Sequence, residues 1–194
     1  MFRPLKKIKS ILTEFINSDR KQLEQLAELE WAHIYKETIR GRKWLEELGI
    51  SPGRWAGNYS FFYILTRILI DYKPSRILEF GLGESSKLIS AFISNELQSS
   101  NHVVLEQSAE WIETFKARHK LAKNTTILHL PLIETNINNF PVNSYNGIEG
   151  VKDSFELYII DGPFGSDRYS RYDICLLAAN FSEGDEFIII DNYN

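Results

Sequence analysis

The sequence has a single cysteine, no apolar run long enough to cross a membrane and no excess of positive charge. With only Cys175, a disulfide within the chain is excluded, and we expect a reducing, cytoplasmic location. Cys175 falls in the apolar run 174–177, which predicts a buried position in a helix. The apolar stretch 61–70 is interrupted by Thr66 and Arg67 and is far shorter than the ~20 residues of a membrane span. Because 22 Lys and Arg stand against 26 Asp and Glu, a nucleic-acid partner is disfavoured.

The chain has enough material for one well-packed domain. Its 194 residues, 43% of them hydrophobic, suffice to bury a sizeable core. The first 16 residues combine basic side chains such as Lys6 and Lys9 with Leu5, Ile8 and Leu12 at helical spacing, and they lack the apolar centre of a signal peptide. We expect this segment to be a helix that docks on its own domain or on a second subunit. Contact with a membrane surface is the alternative.

The hydrophobic pattern divides the chain into two parts. Residues 1–73 have apolar positions at spacings near 3.6, which predicts a helical N-terminal extension. From residue 74 to residue 194, short apolar runs alternate with helical segments, which predicts an α/β core with a parallel sheet covered on both faces. We predict strands at 76–80, 102–106, 125–130, 156–160 and 186–190, and helices at 84–97, 108–121 and 168–181.

Two features interrupt this regular pattern. Residues 131–153 are rich in Asn, which predicts an irregular loop that serves either as a substrate wall or as a plain surface excursion. The chain also ends four residues after its fifth predicted strand. We therefore expect it to be a fragment of a longer protein, or to cover its edge strand with the helical extension or a partner.

The most informative segment joins a buried strand to a helix through a turn with two glycines. The strand ends at Phe80, Gly81 and Gly83 form the turn, and a helix begins near Glu84. Glycine lets a ligand approach the backbone, and the first N–H groups of a helix have no partner within it. A glycine turn of this kind at the carboxyl edge of a parallel sheet is typical of a nucleotide-like ligand site, although a tight turn can require glycine for structural reasons alone.

Two carboxylates lie close to this turn. Glu106 ends the next predicted strand, 25 residues after Gly81, where it could accept the hydroxyl hydrogens of a ribose. Glu79 stands inside the buried strand itself, where a carboxylate is costly unless it is paired or near a ligand. The alternatives are that Glu106 is a solvated loop acid and that Glu79 accepts backbone hydrogen bonds only.

The pattern Glu79, Gly81, Gly83 and Ser85, followed one strand later by Glu106, resembles the cofactor motif of Rossmann-like (class I) S-adenosylmethionine-dependent methyltransferases. The resemblance covers residues 74–194. It implies a three-layer sandwich whose parallel sheet begins with the strand order 3-2-1-4-5. It also implies that these five residues bind S-adenosylmethionine, with Glu79 near its amino group and Glu106 on its ribose.

The acidic residues at the ends of the last two strands carry a second resemblance. Asp161 follows the fourth predicted strand, and Asp191 and Asn192 end the fifth. This set is similar to the magnesium ligands of catechol-type O-methyltransferases, which implies a metal that holds the acceptor hydroxyl and a catalytic role for Asp161. Those enzymes carry a lysine shortly after the first Asp, whereas this chain has Gly162 and Pro163 there. The alternative is that the acidic residues line the pocket without a metal.

Taken together, the residues predict transfer of a methyl group from S-adenosylmethionine to the hydroxyl of a small molecule. An NAD(P)-dependent oxidoreductase is one alternative, although Ser86 stands where its third glycine is expected. A non-catalytic interaction protein that keeps the fold is the other. The partners we expect are a small-molecule substrate and a second copy of the chain, with no membrane span.

Overall fold

Strands and helices alternate from residue 76 onwards, as predicted. The computed structural model describes residues 3–53, 56–163 and 165–192, with the side chains of residues 3–12, 14 and 15 outside that description. The side chains of the basic segment 1–16 therefore lie outside the described residues, apart from Thr13 and Ile16. The helices are α1 Arg3–Ile39, α2 Lys43–Glu46, α3 Tyr59–Asp71, α4 Glu84–Asn95, α5 Ala109–Arg118 and α6 Tyr172–Leu177. The strands are β1 Arg76–Phe80, β2 Asn101–Glu106, β3 Thr125–His129, β4 Leu132–Ile137, β5 Phe140–Tyr145, β6 Leu157–Ile160 and β7 Ile188–Asp191.

Five of these strands form one parallel sheet in the order β3-β2-β1-β6-β7. Because β6 and β7 are the fourth and fifth strands of this sheet, the predicted order 3-2-1-4-5 and the Rossmann-like α/β fold are confirmed. Phe80 pairs with Leu105 on one side and with Ile160 on the other, and Ile160 pairs with Asp191. This register brings the carboxyl ends of all four strands to the same edge of the sheet.

The two faces of the sheet bury different sets of side chains. Ile77, Leu157 and Ile159 pack with residues of α1–α4 on one face. Leu78, Phe80, Tyr158 and Ile160 pack on the other face with β5 and α6. This alternation follows from the period of two in a strand, and it produces the three layers. The helical extension thus shares its core with the sheet, and the domain boundary at residue 73 stays a prediction.

The predicted irregular loop at 131–153 is wrong, because β4 and β5 form an antiparallel hairpin within it. Asn138 and Asn139 connect the two strands and have φ of +51° and +67°. Two consecutive residues in the left-handed region are the requirement of a type I′ hairpin turn, and Asn tolerates that region better than most residues. Two of the asparagines that suggested a loop therefore form the turn of a hairpin.

The predicted burial of Cys175 is also wrong, since its side chain is exposed. Helix α6 has only six residues, and its inner face buries Asp173 and Leu177. Cys175 lies midway between these two positions and therefore on the outer face of the helix. None of the described helices is long and apolar enough to span a membrane.

Candidate active site

A cleft of about 1250 Å³ opens at the carboxyl edge of the sheet. One side consists of the glycine turn 81–83 and the end of β2, and the other consists of the segment after β6 together with Asn192. Ser51, Gly53 and Ala56 close it from the helical extension. The strand order places these elements together, because a crevice forms where successive connections leave the sheet in opposite directions, between β1 and β6.

The two glycines of the turn have different tasks. Gly81 has φ of +97°, and a Cβ atom built on it would lie 3.3 Å from the backbone oxygen of Asp161. It is needed for the conformation of the turn and for close packing against the neighbouring strand. Gly83 has φ of −164°, an extended conformation open to any residue. A Cβ atom on Gly83 would meet nothing within 4 Å, and Gly83 lines the cleft. The backbone is thus approachable at Gly83.

Helix α4 begins directly after Gly83, at the wall of the cleft. The backbone N–H of Gly83 donates to Ser86 Oγ at 3.0 Å, which fixes the entry into α4. Ser85 lies in the first turn of the helix with its side chain buried, and it is not among the residues that line the cleft. Its predicted contact with a cofactor stays a prediction, and the structure places it behind the glycine turn.

Glu106 is held rigidly at the wall of the cleft. Its Oε2 accepts from the backbone N–H of Leu82 at 3.0 Å, and its Oε1 accepts from that of Ser108 at 2.8 Å. Although the residue is only 3% exposed, it lines the cleft. Since a carboxylate has about four lone-pair sites, each oxygen keeps one for a ligand hydroxyl. Trp111 also holds the glycine turn in place, because its indole N–H donates to the Leu82 carbonyl at 2.7 Å.

The sequence resemblance implies a cleft that binds S-adenosylmethionine, and on that basis we expect Glu106→Gln to weaken S-adenosylhomocysteine binding about 5- to 150-fold, the equivalent of about 1 to 3 kcal/mol. The amide presents one oxygen and one NH₂ group to two backbone donors, so one hydrogen bond is lost and the turn shifts. Isothermal titration measures the change in Kd. Glu110→Gln, the same change on the exposed first turn of α5, is the matched control and leaves Kd unchanged. Equal affinities for both variants contradict a binding role for Glu106.

Glu79 lies beneath the turn rather than in the cleft. Its side chain is fully buried, and its Oε2 lies 3.0 Å from His102 Nε2, which is equally buried. Among the described residues, Glu79 Oε1 and His102 Nδ1 have no hydrogen-bond partner. Glu79 is not among the residues that line the cleft. Its predicted contact with a cofactor amino group stays a prediction, and its observed partner is a histidine that the sequence analysis did not connect with it.

Asp161 faces the cleft from the end of β6. Burial raises its pKa to about 7, while a hydrogen bond from Asn192 opposes the rise and the negative charge of Glu79 supports it. Asn192 Nδ2 donates to Asp161 Oδ1 at 2.8 Å. Asp161 therefore combines a position on the cleft wall with a proton affinity suited to acid–base chemistry near neutral pH.

The predicted magnesium site is not supported. Asp191 does not line the cleft and accepts from Arg171 Nε at 3.0 Å. Successive strand residues point to opposite faces, so Asn192 turns toward Asp161 while Asp191 turns away. Within residues 3–53, 56–163 and 165–192, no group of three or more His, Cys, Asp or Glu side chains could hold a metal ion. One carboxylate facing an amide N–H donor does not fit a hard divalent cation.

The β4–β5 hairpin holds the segment that forms the far wall of the cleft. The backbone N–H of Asn143 donates to Ser166 Oγ at 2.7 Å. Asn138 Nδ2 donates to the Tyr169 hydroxyl at 3.2 Å, and the Arg168 guanidinium lies 4.4 Å from the centre of the Phe140 ring. The hairpin therefore holds the segment 166–169, part of which lines the cleft, whereas Arg171 is held by Asp191.

Trp111 and Ser51 are among the cleft residues that sequence reasoning missed. Trp111 was unremarkable in a predicted helix, although a tryptophan one turn after the acid of β2 could have drawn attention to it. Ser51 lines the cleft from the helical extension, and its backbone N–H donates to Glu84 Oε2 at 3.1 Å. No local sequence pattern predicts the contact between Ser51 and Glu84, because 33 residues separate them in the chain.

No protein-family model matches this chain, and no curated protein matches it. Among solved structures, it is similar to the crystal structure of the S-adenosylhomocysteine-bound methyltransferase PaMTH1 from Podospora anserina. The two chains are 19% identical, with a TM-score of 0.44 over 86% of this chain. The match spans 61% of the length of PaMTH1.

Proposed function

We propose that the protein transfers a methyl group from S-adenosylmethionine to the hydroxyl of a small molecule. One observation carries the proposal. The accessible backbone at Gly83 lies beside Glu106, whose carboxylate is held in place by two backbone N–H groups. Asp161, a carboxyl group with a raised pKa, lies across the same cleft. This arrangement offers one place for a nucleoside cofactor and another for a hydroxylated acceptor.

The residues on the near side of the cleft fit the cofactor. Glu106 has free lone pairs for two ribose hydroxyls, and the approachable backbone at Gly83 suits the amino-acid end of the ligand. Trp111 and Gln107 supply apolar and polar surface next to Glu106 for a nucleobase. When bound, S-adenosylmethionine supplies a methyl group already activated by a sulfonium, so the chain's own task is to orient and deprotonate the acceptor.

Asp161 is the group we assign to that deprotonation. In its ionised form it accepts the proton of the acceptor hydroxyl as the oxygen attacks the methyl carbon. Asn192 fixes the orientation of the carboxylate through its N–H donor and keeps one oxygen engaged. Arg171, which is paired with Asp191, stands beside this group at the cleft wall. Deprotonation by Asp161 uses the carboxylate itself as the base and needs no metal ligands.

Thermal denaturation with separate ligands tests the function. We expect S-adenosylhomocysteine at 100 times its Kd to stabilise the fold by about 2.7 kcal/mol and to raise Tm by several degrees. EDTA leaves this shift unchanged, and NADH gives none. A shift with NADH alone contradicts the proposal in favour of an oxidoreductase. The absence of any shift contradicts it in favour of a non-catalytic protein with this fold.

A further inference from the structure

Helix α1 is far longer than the surface it covers. Its 37 residues extend about 55 Å at 1.5 Å per residue. Among the side chains of α1 that the structure describes, those that pack on the domain lie in its second half, where Tyr35 and Ile39 join the core and the Trp31 ring lies 5.4 Å from the Tyr63 ring. In water, an unpacked helix is marginally stable, because most helical stability in proteins comes from packing of an apolar face.

The unpacked part of α1 nevertheless presents large apolar side chains. Ile16, Leu23, Leu26 and Leu29 are all more than 60% exposed. Ile16, Leu23 and Leu26 follow one another at spacings of seven and three residues, which places them on one side of the helix. Tyr35 and Ile39, which join the core, lie about 100° or more away from these positions around the helix. The three exposed side chains, called here the outer stripe, are directed away from the core.

The sequence continues the outer stripe toward the start of the helix. Leu5, Ile8 and Leu12 have spacings of three and four residues, and Leu12 precedes Ile16 by four. For these earlier positions the structure describes the helical backbone alone. A continuous apolar line of about six turns, with Asp19 as its polar interruption, is the pattern of a helix that pairs with another helix.

The charges along α1 select the orientation of that partner. Arg3, Lys6, Lys7 and Lys9 make the first third of the helix basic. Glu24, Glu28 and Glu30 make the segment around residue 27 acidic, and the charges between the two segments balance. In a parallel pair of identical helices, like charges would lie side by side. In an antiparallel pair, the basic segment of each copy lies beside the acidic segment of the other.

We propose that two copies of this chain pair through the outer stripe as an antiparallel helix dimer. The two-fold axis passes near residue 16, so the segment around Leu23 and Leu26 of one copy packs against the segment around Leu5 and Ile8 of the other. The same surface serves on both copies, as a closed two-fold dimer requires.

Sedimentation of the full chain tests the pairing. We expect a particle of twice the 22.5 kDa chain mass. Leu23→Glu combined with Leu26→Glu gives a monomer whose far-UV circular dichroism and S-adenosylhomocysteine response match those of the wild type. The matched control, Asn17→Glu combined with Gln25→Glu, adds the same charge on the opposite side of the helix and stays dimeric. A monomeric wild type overturns the proposal, including one that binds anionic vesicles instead, and so does a dimer that survives the outer-stripe variant.

Cysteine cross-linking tests the orientation. The experiment uses a Cys175→Ser background. In the Ile16→Cys variant, the introduced side chains of the two copies lie next to each other across the two-fold axis, and we expect a disulfide-linked dimer on mild oxidation. Leu26→Cys lies about 30 Å from its own copy in the antiparallel arrangement, by 1.5 Å per residue over about 20 residues, and stays unlinked. Efficient cross-linking of Leu26→Cys means a parallel pair and overturns the proposed arrangement.

Discussion

Gly83→Val should lower the affinity for S-adenosylhomocysteine by about 100-fold or more, the equivalent of about 2.8 kcal/mol. A Cβ atom added at Gly83 meets no protein atom within 4 Å, and we expect the valine side chain to occupy space in the cleft that a ligand needs to reach the backbone. Since the φ of −164° suits any residue, the fold is expected to stay intact. Isothermal titration gives the affinity, and the Tm without ligand gives the stability.

Two other glycines separate this effect from a loss of fold. Gly150→Val makes the same change in open space outside the cleft, and we expect unchanged affinity. Gly81→Ala places a side chain at φ of +97° and 3.3 Å from the Asp161 carbonyl, and we expect about 1 to 3 kcal/mol of destabilisation. If Gly83→Val binds like the wild type while remaining folded, the ligand does not approach this turn.

Asp161→Asn should lower kcat by about 10² to 10⁴ while the Kd for S-adenosylhomocysteine changes little. The rate falls because the amide cannot accept a proton from the acceptor hydroxyl. The Kd changes little because position 161 lies across the cleft from Glu106, the proposed cofactor ligand. The rate of the wild type should rise with pH to a plateau above about 7, the value to which burial raises the Asp161 pKa. Formation of S-adenosylhomocysteine with the best acceptor of a hydroxyl-compound panel measures both. A flat profile, or full activity of Asp161→Asn, contradicts the assignment.

The pH dependence of the stability of Asp161→Asn tests the raised pKa of Asp161 independently of activity. Burial raises the Asp161 pKa from 3.8 to about 7, so the folded state binds more protons than the unfolded state between these values. Wild-type stability contributed by this group is therefore present below pH 4 and lost as pH rises through 7. Asp161→Asn should gain stability relative to the wild type between pH 5 and pH 8 in urea unfolding. Asp153→Asn, at an exposed position outside the cleft, controls for the loss of one carboxylate.

The glycine turn and Glu106 could be placed from the sequence because buried apolar runs define where strands end. Parallel strands share one edge for their carboxyl ends, so Gly83, Glu106 and Asp161 had to lie near one another. The direction of individual side chains was beyond such reasoning. Asp191 turns to an arginine 20 residues away in the chain, and Glu79 turns to a histidine on the next strand. Both choices depend on tertiary contacts rather than on local pattern.

The hairpin was missed for a different reason. Its strands are short and partly polar, and asparagines such as Asn138 and Asn139 occur both in loops and in type I′ turns. Only the positive φ values of both residues distinguish the two structures. The position of Cys175 was missed because a six-residue helix is too short for its buried face to be read from spacing.

The tip of the β4–β5 hairpin contacts the far wall of the cleft, whereas the end of β5 reaches the near side, where the Tyr145 hydroxyl lies 3.3 Å from both the Leu105 carbonyl oxygen and Gln107 Oε1. The surface around Gly83 and Glu106 rests on β1, β2 and α5, which make none of the three contacts that hold residues 166–169. We therefore expect substitutions at the hairpin tip to change the far wall and to leave the affinity for the proposed cofactor unchanged. A library confined to residues 138–143 would test whether the far wall selects the proposed methyl acceptor.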